Sequence, residues 1–216
     1  MTWDEYAVAW SRLHGGFNPS TAMPVVRGWV HTAYTIGSFL GSKRIGPSAV
    51  TTGGLILCFG VPALAPLSGW GLVAGAILVL LAALADTLDG AVAVVTGKAS
   101  RLGYVYDSVA DRLGEAAWLL AFWLAGAPGG LVVAAGAASW LHEYVRARAT
   151  AAGMTEIGVV TVAERPVRVI VAIAGLLGTA ALGSFLAQMS MIVWIFLAAT
   201  GLLQLTVAVR RQLGDR

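Results

Sequence analysis

Charge is what this chain has least of. Only 12% of its 216 residues are Asp, Glu, Lys or Arg, where a soluble domain carries about 25%. With 58% hydrophobic residues and a mean hydropathy of +0.79, most of the chain is suited to lipid rather than water. Cysteine is nearly absent too. Cys58 stands alone in an apolar run, which excludes an intrachain disulfide framework and makes it a small core residue. Residues 1–20 are polar and mixed, without the basic stretch and apolar run of a secretory signal. No long-period repeat or low-complexity tract stands out. The sequence pI of about 9.4 does not point to nucleic acid, because the basic residues collect at helix ends.

The missing charges set the topology. No Asp, Glu, Lys or Arg lies between Arg44 and Asp86, between Glu115 and Glu143, or between Arg168 and Arg210. A membrane helix needs about 20 apolar residues. The first and third windows are each long enough for a helical hairpin, and the helices of the middle one continue into charged flanks. The expectation is an all-α integral membrane protein with six transmembrane helices, at 48–67, 72–94, 101–125, 130–151, 166–185 and 189–209. The turns within the hairpins, Pro66–Trp70, Gly126–Gly130 and Gly183–Ser190, carry no charge. Every Lys and Arg, from Arg12 to Arg216, lies on the other side. The positive-inside rule makes that side cytoplasmic, with both termini and the acidic residues on it.

Residues 20–43 read as a further helix, preceding the six. Ser20 or Thr21 can cap it, Pro24 suits its first turn, and Gly41 can end it. Val26, Trp29, Val30, Ala33, Tyr34, Gly37 and Leu40 share one face, with Arg27, His31, Thr35, Ser38 and Ser42 largely opposite. That pattern fits an amphipathic helix lying in the membrane interface; the alternative is a helix packed on the aqueous side of the bundle. His14, His31 and His142 are read as structural. The expected division is a cytosolic or interfacial segment at 1–45 and a six-helix domain at 46–216.

Four aspartates break the apolar pattern: Asp86, Asp89, Asp107 and Asp111. An ionised carboxylate at membrane depth is costly, which makes it a functional hypothesis by default. Asp86 and Asp89 are three apart, and Asp107 and Asp111 four apart, so each pair shares a helix face. A short loop, Thr96–Ser100, joins the two helices, so the acidic faces can meet across a tight hairpin. Four carboxylates in one pocket repel unless cations neutralise them, and hard oxygen ligands suit Mg²⁺ or Mn²⁺. Two metals roughly 4 Å apart are a common arrangement for phosphoryl chemistry. Gly90, Ala93 and Gly103 beside the acids leave room for a flat group such as a nucleotide, or else only let helices approach.

The stretch DTLDGAVAVVTGKASRLGYVYDSVAD, residues 86–111, resembles the signature of the CDP-alcohol phosphotransferase family, D-x2-D-G-x2-A-R-x8-G-x3-D-x3-D. Asp86, Asp89, Gly90, Ala93, Gly103, Asp107 and Asp111 match, with every spacing kept. The family's Arg is Val94 here, and Lys98 or Arg101 nearby can supply the missing charge. Pro47, Val50, Thr51 and Gly53 resemble the start of the family's first span, where Ser48 stands in place of Asp or Asn. Tyr144, Arg146, Ala147, Arg148, Ala149 and Gly153, then Glu164, Arg165 and Arg168, resemble the basic motifs of phosphatidylinositol-phosphate synthases, with Val167 in place of a Glu.

The resemblance implies a homodimer with a cytosol-facing cavity. The four aspartates would hold Mg²⁺ or Mn²⁺, in two ions. Pro47, Thr51, Asp89, Gly90, Ala93 and Gly103 would surround the cytidine nucleotide of CDP-diacylglycerol. Asp111 is the candidate base for the acceptor hydroxyl, with Asp107 the other catalytic candidate. Phospholipid synthesis, with release of CMP, is the implied reaction. Arg146, Arg148, Arg165 and Arg168 suit the phosphate of an acceptor such as inositol phosphate or glycerol phosphate, or else snorkel to headgroups as topological charges. A cardiolipin-synthase-type enzyme using phosphatidylglycerol is the alternative acceptor reading. An intramembrane prenyltransferase would place its acidic motifs on separate, well-spaced helices, and a cation carrier would seldom gather them at one rim beside glycines.

Overall fold

The computed structural model describes residues 1–13, 18–154 and 161–214. His14 and Arg216 therefore lie outside the described residues. The described chain is helical: α1 Trp3–Leu13, α2 Pro24–Ser42, α3 Pro47–Leu64, α4 Gly69–Thr96, α5 Arg101–Leu124, α6 Gly129–Ala151, α7 Arg165–Leu182 and α8 Ser184–Leu213, with short 3-10 turns at Pro19–Thr21 and Ala65–Leu67.

Among the described residues, four segments are long and apolar enough to cross a membrane: Pro47–Leu67, Gly69–Thr96, Arg165–Leu182 and Ser184–Leu213, with mean hydropathies of 1.7, 2.2, 1.6 and 2.2. Ile56, Phe59, Ile170, Phe196 and Leu203 stand exposed on them, an arrangement suited to hydrocarbon rather than water. The protein is thus an all-α, multi-pass membrane protein. Six helices were expected to qualify and four do. The physical reason is visible in the other two: α5 carries Arg101, Asp107, Asp111, Arg112 and Glu115, and α6 carries Glu143, Arg146 and Arg148, so neither holds a long charge-free window.

The chain divides into two compact units, Met1–Ile56 with Leu81–Asp111, and Leu57–Leu80 with Arg112–Arg216. In the first, α2 forms as its pattern requires, with a different start and end. Asn18, not Ser20 or Thr21, supplies the capping side chain, and it caps the 3-10 turn by accepting from the Ser20 N–H at 2.9 Å. Helix α2 begins at Pro24, whose missing N–H removes one unsatisfied donor. It runs past Gly41 to Ser42 and stops where Arg44 adopts φ 61°. Its buried face, Val30 and Ala33, packs with Tyr6 of α1 and with Ala91 and Val94 of α4. Gly37 permits this approach, since a Cβ there would lie 3.0 Å from the Ala91 Cβ. Helix α1 was not foreseen. Trp3 and Tyr6 on it stack around Tyr34 with centroids 5.8 and 5.1 Å away, and the Tyr34 hydroxyl donates to the Met1 carbonyl at 2.8 Å.

In the second unit α8 packs on α6 and α7. The Trp194 indole donates to Ser139 Oγ at 2.8 Å across the α8–α6 contact. The last turn is tighter than expected: Gly183 alone separates α7 from α8, at φ 81°. The lone Cys58 is buried, as its apolar run required.

Candidate functional site

The site forms where α4 ends and α5 begins. Helix α4 closes with the Gly97 N–H bonded to the Val94 carbonyl at 3.2 Å and the Lys98 N–H bonded to the Ala93 carbonyl at 2.9 Å, around Gly97 at φ 64°. That is a Schellman closure, in which only glycine is unstrained at the left-handed position. Ser100 Oγ then accepts from the Gly103 N–H at 3.0 Å and caps α5. The sharp turn folds the acidic end of α5 back along that of α4.

The result is a group of three carboxylates. One oxygen each from Asp86, Asp89 and Asp107 lies within 4.8 Å of the others. Asp111, one turn further along α5, is half-buried and not part of that group. Asp89 is only 7% exposed. Its Oδ2 accepts a hydrogen bond from Thr51 Oγ1 at 2.6 Å. The same hydroxyl lies 3.1 Å from the Pro47 carbonyl, and its single proton serves the nearer, charged acceptor. The neighbouring Thr52 hydroxyl meets the Tyr106 hydroxyl at 2.8 Å, tying α3 to the turn of α5 that carries Asp107. Three clustered oxygen donors of one charge sign match the donor set of a hard divalent cation.

The three acids line a cavity of about 930 Å³. All six residues expected around a nucleotide, Pro47, Thr51, Asp89, Gly90, Ala93 and Gly103, line the same cavity. A Cβ added at Gly90 would meet nothing within 4 Å. No helix contact requires that glycine, so it leaves open space beside Asp89. Two further contributions escaped the sequence reading. Tyr6 and Trp10 of α1 and Trp29 of α2 also line the cavity; the aromatic residues were visible, but nothing local connected α1 to a segment eighty residues away. Burial pushes the Tyr6 phenol up to about 12.

The four arginines fall into distinct settings in the second unit. Arg148 is exposed, and Arg146 and Arg165 are half-buried. Arg146 pairs with Glu164, whose Oε1 also accepts from the Thr161 N–H at 2.9 Å. Arg168 is 4% exposed; its Nε lies 3.1 Å from Glu115 and its Nη2 2.7 Å from Glu143. Glu115 is fully buried, with Arg112 at 3.2 Å. The buried His142 ring meets the Thr161 hydroxyl at 3.0 Å, in keeping with a structural role. Glu115 and Glu143 were not singled out in the sequence, although Glu115 continues the α5 face of Asp111 at a four-residue step.

A family model described as CDP-alcohol phosphatidyltransferase matches residues 44–211. The archaetidylinositol phosphate synthase of Pyrococcus horikoshii is 33% identical over 168 residues, which cover 74% of this chain and 84% of that protein. The phosphatidylinositol phosphate synthase of Mycolicibacterium smegmatis is 39% identical over 110 residues, 47% of this chain. The match spans only 48% of that mycobacterial relative's length. Among solved structures, phosphatidylinositol phosphate synthase of Mycobacterium tuberculosis with CDP-DAG bound superposes with a TM-score of 0.69 at 27% identity, covering 82% of this chain and 93% of that one. A crystal structure of the same enzyme in complex with manganese and citrate gives the same TM-score, 0.69.

Proposed function

We propose that this chain, which belongs to the CDP-alcohol phosphatidyltransferase family, transfers a phosphatidyl group from CDP-diacylglycerol to the hydroxyl of a phosphorylated polyol, with inositol phosphate first among the candidates, and releases CMP. The observation that carries this reading is the convergence of Asp86, Asp89 and Asp107 in one nucleotide-sized cavity, with open space beside Gly90. The relatives named as phosphatidylinositol phosphate synthase and archaetidylinositol phosphate synthase point to the acceptor.

In this reading Asp86, Asp89 and Asp107 hold Mg²⁺ or Mn²⁺, with Asp111 completing the set for a second ion. When bound, the metal neutralises the donor's diphosphate and makes CMP a better leaving group. Thr51 fixes one oxygen of Asp89, so the carboxylate presents the other to the cavity. Pro47, Gly90, Ala93 and Gly103 shape the nucleotide's seat, Gly90 by contributing no side chain. Asp111 takes the proton from the acceptor hydroxyl as it attacks phosphorus, and Asp107 orients the reacting group. Arg148, Arg146 and Arg165 receive the acceptor's phosphate. Arg168, anchored to Glu115 and Glu143, is the fixed base of that cluster. The fork geometry of guanidinium groups suits such a phosphate.

The wider architecture follows the same reading. Helices α3 to α8 form six transmembrane spans in the domain at 46–216, α5 and α6 crossing with their charged halves in the polar region. Residues 1–45, with α2, lie along the cytosolic interface. Both termini and the site face the cytoplasm, and the enzyme works as a homodimer.

The test is a product scan. Purified protein with Mg²⁺ and CDP-diacylglycerol is offered inositol phosphate, glycerol phosphate, inositol, serine and phosphatidylglycerol in turn, with products read by mass spectrometry. Formation of a phosphatidyl polyol phosphate together with CMP is expected. CMP release with phosphatidylglycerol alone would move the assignment to cardiolipin synthesis, and no CMP from any acceptor would refute it.

A further inference from the structure

Position 94 is where the chain departs from its family signature, and the structure shows what surrounds it. Val94 is 8% exposed and belongs to an apolar cluster with Tyr6, Val30, Ala33 and Ala91. Three of those four partners come from α1 and α2, residues that lie outside the matched family region of 44–211. Val94 also borders the cavity, but an arginine there would have to thread its stem past the apolar side chains of α1 and α2 and disturb that packing before its charge reached the acids. The cavity nevertheless needs positive charge. Three carboxylates line it, a diphosphate would add two more negative charges, and one divalent ion would offset only two of the five. Among the described residues, two of those lining it are cationic, Lys98 and Arg101. Both are exposed, one on each side of Ser100 in the α4–α5 turn. The backbone of that turn is fixed by the closure at Gly97 and by the Ser100 cap, so the two side chains start from a rigid platform beside the acids.

We propose that Lys98, with Arg101 beside it, is the cationic contact to the donor's diphosphate in this chain, and that α1 and α2 have converted position 94 into apolar core. This inference rests on the donor being a CDP-linked lipid, as proposed above. Lysine acts on a phosphate as a mobile point charge rather than a planar fork, which suits a contact made from an exposed turn. The N-terminal helices, in turn, form an apolar wall of the donor cavity through Tyr6, Trp10 and Trp29.

The experiment measures binding of CDP-diacylglycerol to the full chain in detergent at fixed Mn²⁺, with Mn²⁺ binding measured separately. Lys98→Met is expected to weaken donor binding by about tenfold or more, the cost of one hydrogen bond to a charged group, and to leave Mn²⁺ binding unchanged. Lys98→Arg should recover most of the affinity. Lys43→Met, at the end of α2 and outside the cavity, should bind like the wild type. Adding Val94→Arg to Lys98→Met should not rescue binding and should lower the unfolding temperature. Wild-type affinity in the Lys98→Met/Arg101→Met double variant would overturn the inference, as would full rescue by Val94→Arg. A wild-type chain that binds Mn²⁺ but no CDP-lipid would instead overturn the proposed activity, and this inference with it.

Discussion

Replacing Thr51 with valine removes one hydroxyl and keeps the shape of the side chain. In the structure that hydroxyl donates to Asp89 Oδ2 at 2.6 Å, and Asp89 is 7% exposed. Few waters can take the hydroxyl's place, so the loss is that of a hydrogen bond to a charged group, about 1.5–3 kcal/mol. If that free energy appears as weaker metal binding, Mn²⁺ affinity falls by roughly 10- to 150-fold. The same range, about 10- to 100-fold, is typical when a partner that orients a metal ligand is lost. The assay is CMP release as a function of Mn²⁺ concentration, for wild type, Thr51→Val and Thr51→Ser. The valine variant should need far more Mn²⁺ for half-maximal rate while saturating donor restores little. The serine variant, which keeps the hydroxyl, should stay close to wild type. Identical Mn²⁺ dependence for valine and wild type would refute the view that Thr51 acts through Asp89.

Other outcomes follow from the same geometry. Gly90→Val should fold with an unfolding temperature no lower than wild type, because a Cβ there meets nothing within 4 Å and valine forms helix better than glycine; the donor KM should rise as the cavity fills, and an unchanged KM would mean that the space is not used. Asp89→Asn should abolish transfer in a chain that still purifies folded, and chelation by EDTA should do the same to wild type, reversed by Mg²⁺ or Mn²⁺. Arg168→Ala strips the buried Glu115 of a partner 3.1 Å away and should destabilise by about 3–5 kcal/mol, read as thermal unfolding in detergent. Arg148→Ala, at an exposed position, should leave stability unchanged and raise the acceptor KM; the opposite ranking of the two variants would contradict the roles given to them.

The parts of this fold that depend on local pattern were legible in the sequence. Charge-free runs, extended into their charged flanks for α5 and α6, located α3 to α7 within three residues and α8 within five, and the apolar stripe of α2 was visible although its start was placed at Ser20 or Thr21 and not at Pro24. The signature at 86–111 placed three of its four acids together because helical spacing and one tight turn suffice to do so. What was not legible came from longer range. Nothing in α1 announces that Tyr6 packs on Ala91 and Val94, since each contact alone is an ordinary apolar one. The pairing of Arg168 with Glu115 and Glu143 depends on how α5, α6 and α7 are arranged, and the sequence shows only that the charges exist. The hairpin turn between α7 and α8 shrank to Gly183 because one left-handed residue can reverse the chain, an economy that hydropathy does not report.

The central claim is that Asp86, Asp89 and Asp107 hold a divalent cation in the cavity. Crystals of the protein grown with Mn²⁺ test it directly through anomalous scattering. The account predicts a peak in bonding contact with one oxygen of each of those carboxylates, lost in crystals of Asp89→Asn. Full Mn²⁺ occupancy elsewhere with no peak between the three, or carboxylates turned away from one another, would contradict it.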